Sequence, residues 1–235
     1  MNVDIEALAK YPMESDDWVI TVAIGGIASL FSFFIVPIFA VTGYLVRALR
    51  AGMEGADEPP VFDEWGELLK EGVVAAVISF VYQLIPTIVF AVMVGGSLLA
   101  LLTGSDAGAG LGLLGLIGGV FVWWVLAIIF GFIGFAGVAN YAREGTLGAG
   151  FDFGVITTVI TSRDYIVAWL YVIALNIVVG FVSGALNIIP GLGGLIGVFL
   201  GFYALIIVGW LWGDGFAAAM GTRSTTSVDD ETVPA

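Results

Sequence analysis

Apolar residues run through this chain in long blocks, and polar residues collect in the short gaps between them. Uninterrupted apolar runs of about 18 residues or more predict membrane-spanning helices. Such runs fall at about 18–46, 73–102, 111–140, 165–189 and 191–215. The first contains Pro37, and it is too short for two crossings of about 20 residues each. One long helix bent near Pro37 is therefore expected. The second run holds Pro86. The predicted fold class is an all-α integral membrane protein, with about five transmembrane helices and two or three short interfacial amphipathic helices.

The gaps carry their own pattern. In residues 1–17, Val3, Ala7, Leu8 and Tyr11 can share one face of a helix lying on the membrane and ended by Pro12. Trp18 is placed as an interface anchor. Between 47 and 72, Pro59 and Pro60 stop any incoming helix, and Phe62, Trp65, Leu68 and Leu69 then fall at helical spacing. A short surface helix is expected there. A second is expected around Phe151, Val155, Ile156, Val159 and Ile160. Pro190 and Gly191 make a tight turn into the last span, and 221–235 reads as a disordered acidic tail. A weak duplication also shows: Tyr44, Arg47 and Phe62-Asp63 are echoed by Tyr141, Arg143 and Phe151-Asp152.

Charge sets the expected orientation. Five spans with the N-terminus outside place Arg47, Arg50, Lys70, Arg143, Arg163 and Arg223 inside and Lys10 outside, as the positive-inside rule prefers. The expected location is the cell membrane, multi-pass, with the C-terminus cytoplasmic. Against 7 Lys and Arg stand 20 Asp and Glu, a net charge of −13. That balance argues against nucleic acid as a partner; membrane lipids are the expected surroundings. The acidic excess suits very salty surroundings, where screening removes self-repulsion. The absence of Cys and His excludes disulfides and zinc sites built on thiolate or imidazole.

Candidate chemistry is sparse. No Asp, Glu, Lys or Arg lies within the first four apolar runs, so the usual groups of proton relays, ion-coupled transport and voltage sensing are missing. Catalytic residues, cofactor and metal are all assigned as none. The candidate polar membrane sites are Gln83, Asn176, Asn187 and Asp214. They could line a polar path or bind a headgroup; the plainer reading is a hydrogen bond to a neighbouring helix, a cap at the Pro190 corner for Asn187, and an interfacial end of the last span for Asp214. Asp63, Glu64 and Glu67 could be an ion cluster, or simply the wet face of a surface helix.

Glycine supplies the strongest packing signal. Gly193, Gly197, Gly201, Gly209 and Gly213 recur every fourth position except at Leu205, and Gly180 and Gly184 repeat the spacing. On a helix such residues stack on one face and admit a second helix closely. Gly193, Gly197, Gly201, Gly180 and Gly184 are the helix-packing candidates.

YPMESDDW at 11–18, GYLVRALRAG at 43–52, PPVFDEWGELLKEG at 59–72, NYAREGTLGAGFDF at 140–153, SRDYIVAWL at 162–170 and IIPGLGGLIGVFLGFYALI near the end resemble the archaeal membrane family called domain of unknown function 4013. The resemblance implies a membrane protein from archaea, many of them halophilic, and brings no activity or site residue. The function expected is a non-enzymatic scaffold or accessory subunit that meets a second copy or another membrane protein. The alternative is a small permease or lipid-handling protein using the Pro37 and Pro86 breaks.

Overall fold

The computed structural model describes residues 4–189 and 191–222. Val3, Pro190 and the tail beyond 222 lie outside the described residues. The described chain forms α1 (Ile5–Lys10), α2 (Trp18–Leu30), α3 (Ile35–Glu54), α4 (Trp65–Leu102), α5 (Asp106–Glu144), α6 (Phe153–Ile160), α7 (Arg163–Leu186) and α8 (Leu192–Met220), with 3-10 turns at Tyr11–Met13 and Leu147–Phe151. Five of them, α3, α4, α5, α7 and α8, are long and apolar enough to cross a membrane.

The apolar run at 18–46 is not one bent helix. α2 ends at Leu30, residues 31–34 turn, and α3 starts at Ile35 after an extended Phe34. Proline suits the break. Pro37 has no N–H to offer Phe33, and its ring crowds that carbonyl in a continuous helix. In the first turn of a new helix both problems vanish, because those N–H groups have no intrahelical partner anyway. Hydropathy alone carries no trace of the reversal, since Phe31, Phe33 and Phe34 keep the turn as apolar as its flanks.

α8 reports the direction of both helices. Gly26 and Gly25 of α2 face the rings of Phe199 and Phe202, while Tyr11, just before α2, lies beside Trp210. Tyr44, Ala48 and Leu49 of α3 meet Phe202, Gly209 and Gly213. So α3 runs parallel to α8, α2 runs antiparallel to it, and together α2 and α3 make a hairpin. The remaining spans pair as hairpins α4/α5 and α7/α8. Chain entry, the 55–64 loop, the α5–α7 connection and the end of α8 all gather at one end of the bundle, here the charged end. Among the described residues Asp106 is the one charged side chain at the far end.

The expected surface helix at 62–71 is instead the first turns of α4, which continues unbroken through Pro86 to Leu102. α6 is separate, but it turns Ile156 and Val159 into the core. The core occupies the charged-end half: Leu49, Ile78, Ile156, Tyr165, Leu211 and Phe216 are fully buried there. Towards the far end exposed Leu, Ile and Phe cover the three hairpins, as suits helices solvated by lipid.

Glycine brings backbones together at particular crossings. A Cβ on Gly43 would strike the carbonyl of Leu68, and one on Gly72 would strike that of Phe39, so α3 and α4 cross glycine against glycine. Gly213 meets Leu49 O and Gly52 meets Trp210 O in the same way between α3 and α8. Gly108, Gly112, Gly115 and Gly119 of α5 lie against Thr103, Leu101, Ser97 and Met93 at the α4 end of that hairpin.

Candidate functional site

The most polar constellation lies where α3, α4 and α5 meet at the charged end. Glu71, on the first turns of α4, is buried, and α3 delivers Arg47 and Arg50 one turn apart onto it. Arg50 Nη2 donates to Glu71 Oε1 at 2.9 Å and Arg47 Nε to Oε2 at 3.3 Å. Arg47 also reaches the Asp63 carboxylate, with Glu64 4.0 Å away. Arg50 Nε donates to the Ala142 carbonyl of α5 at 3.1 Å. One carboxylate thus ties together two guanidiniums and three helices. Removing a single partner from such a lattice strands a buried charge.

The PPVFDEW segment is built onto α3 to complete this site. The Tyr44 hydroxyl donates to Pro60 O at 2.8 Å, and its ring stacks on Phe62 at 4.7 Å. GAGFD is held comparably, but by α4 and α5: the Tyr82 hydroxyl donates to Gly150 O at 2.9 Å, its ring stacks on Phe151, and Asn140 Nδ2 donates to Ala149 O. The tyrosine that stacks on Phe151 is therefore Tyr82, not the Tyr141 that the duplication pairs with Tyr44.

Two cavities open at this end. One, of about 530 Å³, is lined by Arg47, Arg50, Lys70, Glu54, Glu67 and Glu71 among others. The other, of about 510 Å³, lies under α1 between Leu8, Tyr11, Asp57, Trp210 and Asp214. Burial and the nearby Asp57 carboxylate push the Tyr11 phenol well above its ordinary range, so it stays neutral and donates to Glu58 O. A third cavity, of about 290 Å³, sits at mid-depth between α3, α5, α7 and α8, with Asn176 and the Trp212 indole among apolar neighbours.

The sequence candidates are scattered over the bundle. Gln83 Nε2 donates to Ala127 O of α5 at 3.4 Å. Asn187 closes the end of α7 through Ser183 O. Asp214 is buried inside α8, which continues to Met220 rather than ending at 215. Asn176 is exposed on α7 and donates to Val172 O of its own helix. Gly193 abuts the Leu186 carbonyl and Gly197 touches Ser183, whereas Gly180, Gly184 and Gly201 meet no atom of another helix. Asp63 and Glu64 belong to the Arg47 lattice, and no group of three metal-binding side chains occurs among the described residues. Nothing in the sequence marks Glu71, Arg47 and Arg50 as one site. Their spacing in sequence gives no hint of contact, although basic residues so close to an apolar run call for partners.

No curated protein and no solved structure matches the chain. Residues 27–188 match a family described as a protein of unknown function. That stretch takes in the end of α2, the Arg47–Glu71–Arg50 lattice and the pinned GAGFD turn. The chain, with five helices long and apolar enough to cross a membrane, belongs to the DUF4013 family of proteins of unknown function.

Proposed function

We propose that the protein is a non-enzymatic membrane scaffold or accessory subunit, and that it receives its partner at the charged end. The observation that carries this reading is the segregation of charge: every charged side chain among the described residues except Asp106 lies at that end, where two large cavities open. The ion-paired lattice holds the floor of that face rigid across α3, α4 and α5. The mid-depth cavity, by contrast, is small and mostly apolar, and offers no polar route for a solute.

In this reading the charged end faces the cytoplasm, which places Lys10, Arg47, Arg50, Lys70, Arg143 and Arg163 all inside. The N-terminus is then cytoplasmic, opposite to the orientation that five simple spans require. The acidic surplus on the same face fits a protein working in high salt.

The permease alternative is separated by cysteine scanning, which the cysteine-free chain makes clean. Val179→Cys and Leu205→Cys line the mid-depth cavity. The scaffold reading expects neither to react with a membrane-impermeant thiol reagent, while Glu67→Cys reacts readily. Labelling of both cavity cysteines from the water phase would replace the scaffold with a permease.

A further inference from the structure

We infer that α7 is the surface through which two copies of this chain pair in the membrane, with Asn176 at the centre of the contact. Asn176 lies near the middle of α7, and Gly180 and Gly184 follow it one and two turns later. Residues four apart share a helix face, so the three form one stripe. Among the described residues nothing covers its two glycines: a Cβ on Gly180 or Gly184 would meet no atom within 4 Å.

The amide distinguishes this stripe from an ordinary lipid-facing surface. A side-chain amide carries two N–H donors and an acceptor oxygen. One N–H of Asn176 goes to Val172 O at 2.8 Å; among the described residues the oxygen meets no donor. At this depth hydrocarbon supplies none, and an unmatched amide there is costly. A lipid tail on the stripe leaves that cost in place. A second α7 removes it. An isologous two-fold contact sets like residues against each other, and the amide is self-complementary, N–H to C=O in both directions. Gly180 and Gly184 then admit the partner backbone closely, the arrangement by which small residues and polar groups associate helices in lipid. The second copy also covers the mid-depth cavity that Asn176 shares with Val179 and Leu205. This surface is separate from the charged end and does not depend on partner docking there.

The test uses the full chain in liposomes with single cysteines. Gly180→Cys is expected to form an intermolecular disulfide under mild oxidation, about tenfold more than Val178→Cys, which is exposed on another face of α7. Asn176→Leu is expected to raise the dimer dissociation constant about tenfold in a fluorescence-transfer titration, with Asn176→Gln keeping part of the association. Both substitutions sit on an exposed face, and labelling of an added Glu67→Cys from the water phase reports that each variant is inserted. Equal disulfide yields at 178 and 180, or an Asn176→Leu protein that associates as wild type does, would overturn the inference.

Discussion

The rings of Tyr11 and Trp210 lie 5.7 Å apart, one just before α2 and the other in the last turns of α8. Trp210 Nε1 also donates to Ala56 O, and the Tyr11 hydroxyl to Glu58 O. The entry of the chain, its first large loop and its last helix thus meet at one point. Only an even number of passages before Ala56 brings that about.

The first prediction follows directly. Cysteines at Glu6 and Thr222 should be labelled from the same side of a sealed vesicle, and a cysteine at Gly104 from the other. A single long helix over 18–46 requires Glu6 and Thr222 to be labelled from opposite faces, so the experiment decides between the hairpin and the bent helix.

How much of this was legible beforehand depends on which physical quantity sets each feature. Length and apolarity set α4, α5, α7 and α8, and both are readable from the chain. Direction is not encoded in hydropathy, so the reversal at 31–34 passed unseen although Pro37 marked it. Counting 18–46 as one span is also what sends Lys10 outside in the positive-inside argument. Glycine spacing identifies faces but not what they meet: Gly43, Gly52 and Gly72, which stand in no regular series, make crossings as tight as that of Gly213, while Gly180, Gly184 and Gly201 of the regular series meet nothing among the described residues. Nothing in the sequence separates Glu71 from Asp63, Glu64 and Glu67, because its partners come from another helix.

Glu71→Ala should be among the most damaging single changes to a polar residue. It removes the shared acceptor of Arg47 and Arg50, whose side chains are 11% and 37% exposed. Loss of one partner of a buried ion pair costs about 3–5 kcal/mol. Arg47 keeps Asp63 and Arg50 is partly solvated, so the expected cost is near about 3 kcal/mol. Chemical denaturation in detergent measures it. Arg47→Met combined with Glu71→Leu should recover part of the loss, because it leaves less charge unpaired.

Substitutions at glycine should sort by what a methyl group would meet. Gly72→Ala and Gly43→Ala each drive a Cβ into a backbone carbonyl, which cannot move aside as a side-chain tip can. Overpacking of that kind costs about 1–3 kcal/mol. At Gly95 and Gly118 the space is open, and alanine should stabilise the helix by up to about 1 kcal/mol through its better propensity. Thermal unfolding of the four variants in one detergent is the comparison. Equal losses at all four positions would mean that the α3–α4 crossing is looser than the glycine contacts imply.

Pro37→Ala tests what holds the hairpin closed. If proline strain alone kept α2 and α3 apart, alanine would let them fuse into one helix and carry the N-terminus across the membrane. The contacts argue otherwise. Gly25 and Gly26 admit the Phe202 and Phe199 rings, and Tyr44 packs on Phe202 from α3, so each arm is bound to α8 independently of the turn. Fusion would forfeit one of those two surfaces. Replacing a compatible proline changes stability by about 0.4–1 kcal/mol, mainly through the unfolded chain, far less than a lost helix interface. The Pro37→Ala protein should therefore keep the Glu6 cysteine on the same side as Thr222, with unfolding only slightly earlier. A reversed Glu6 label in that variant would assign the hairpin to the proline rather than to α8.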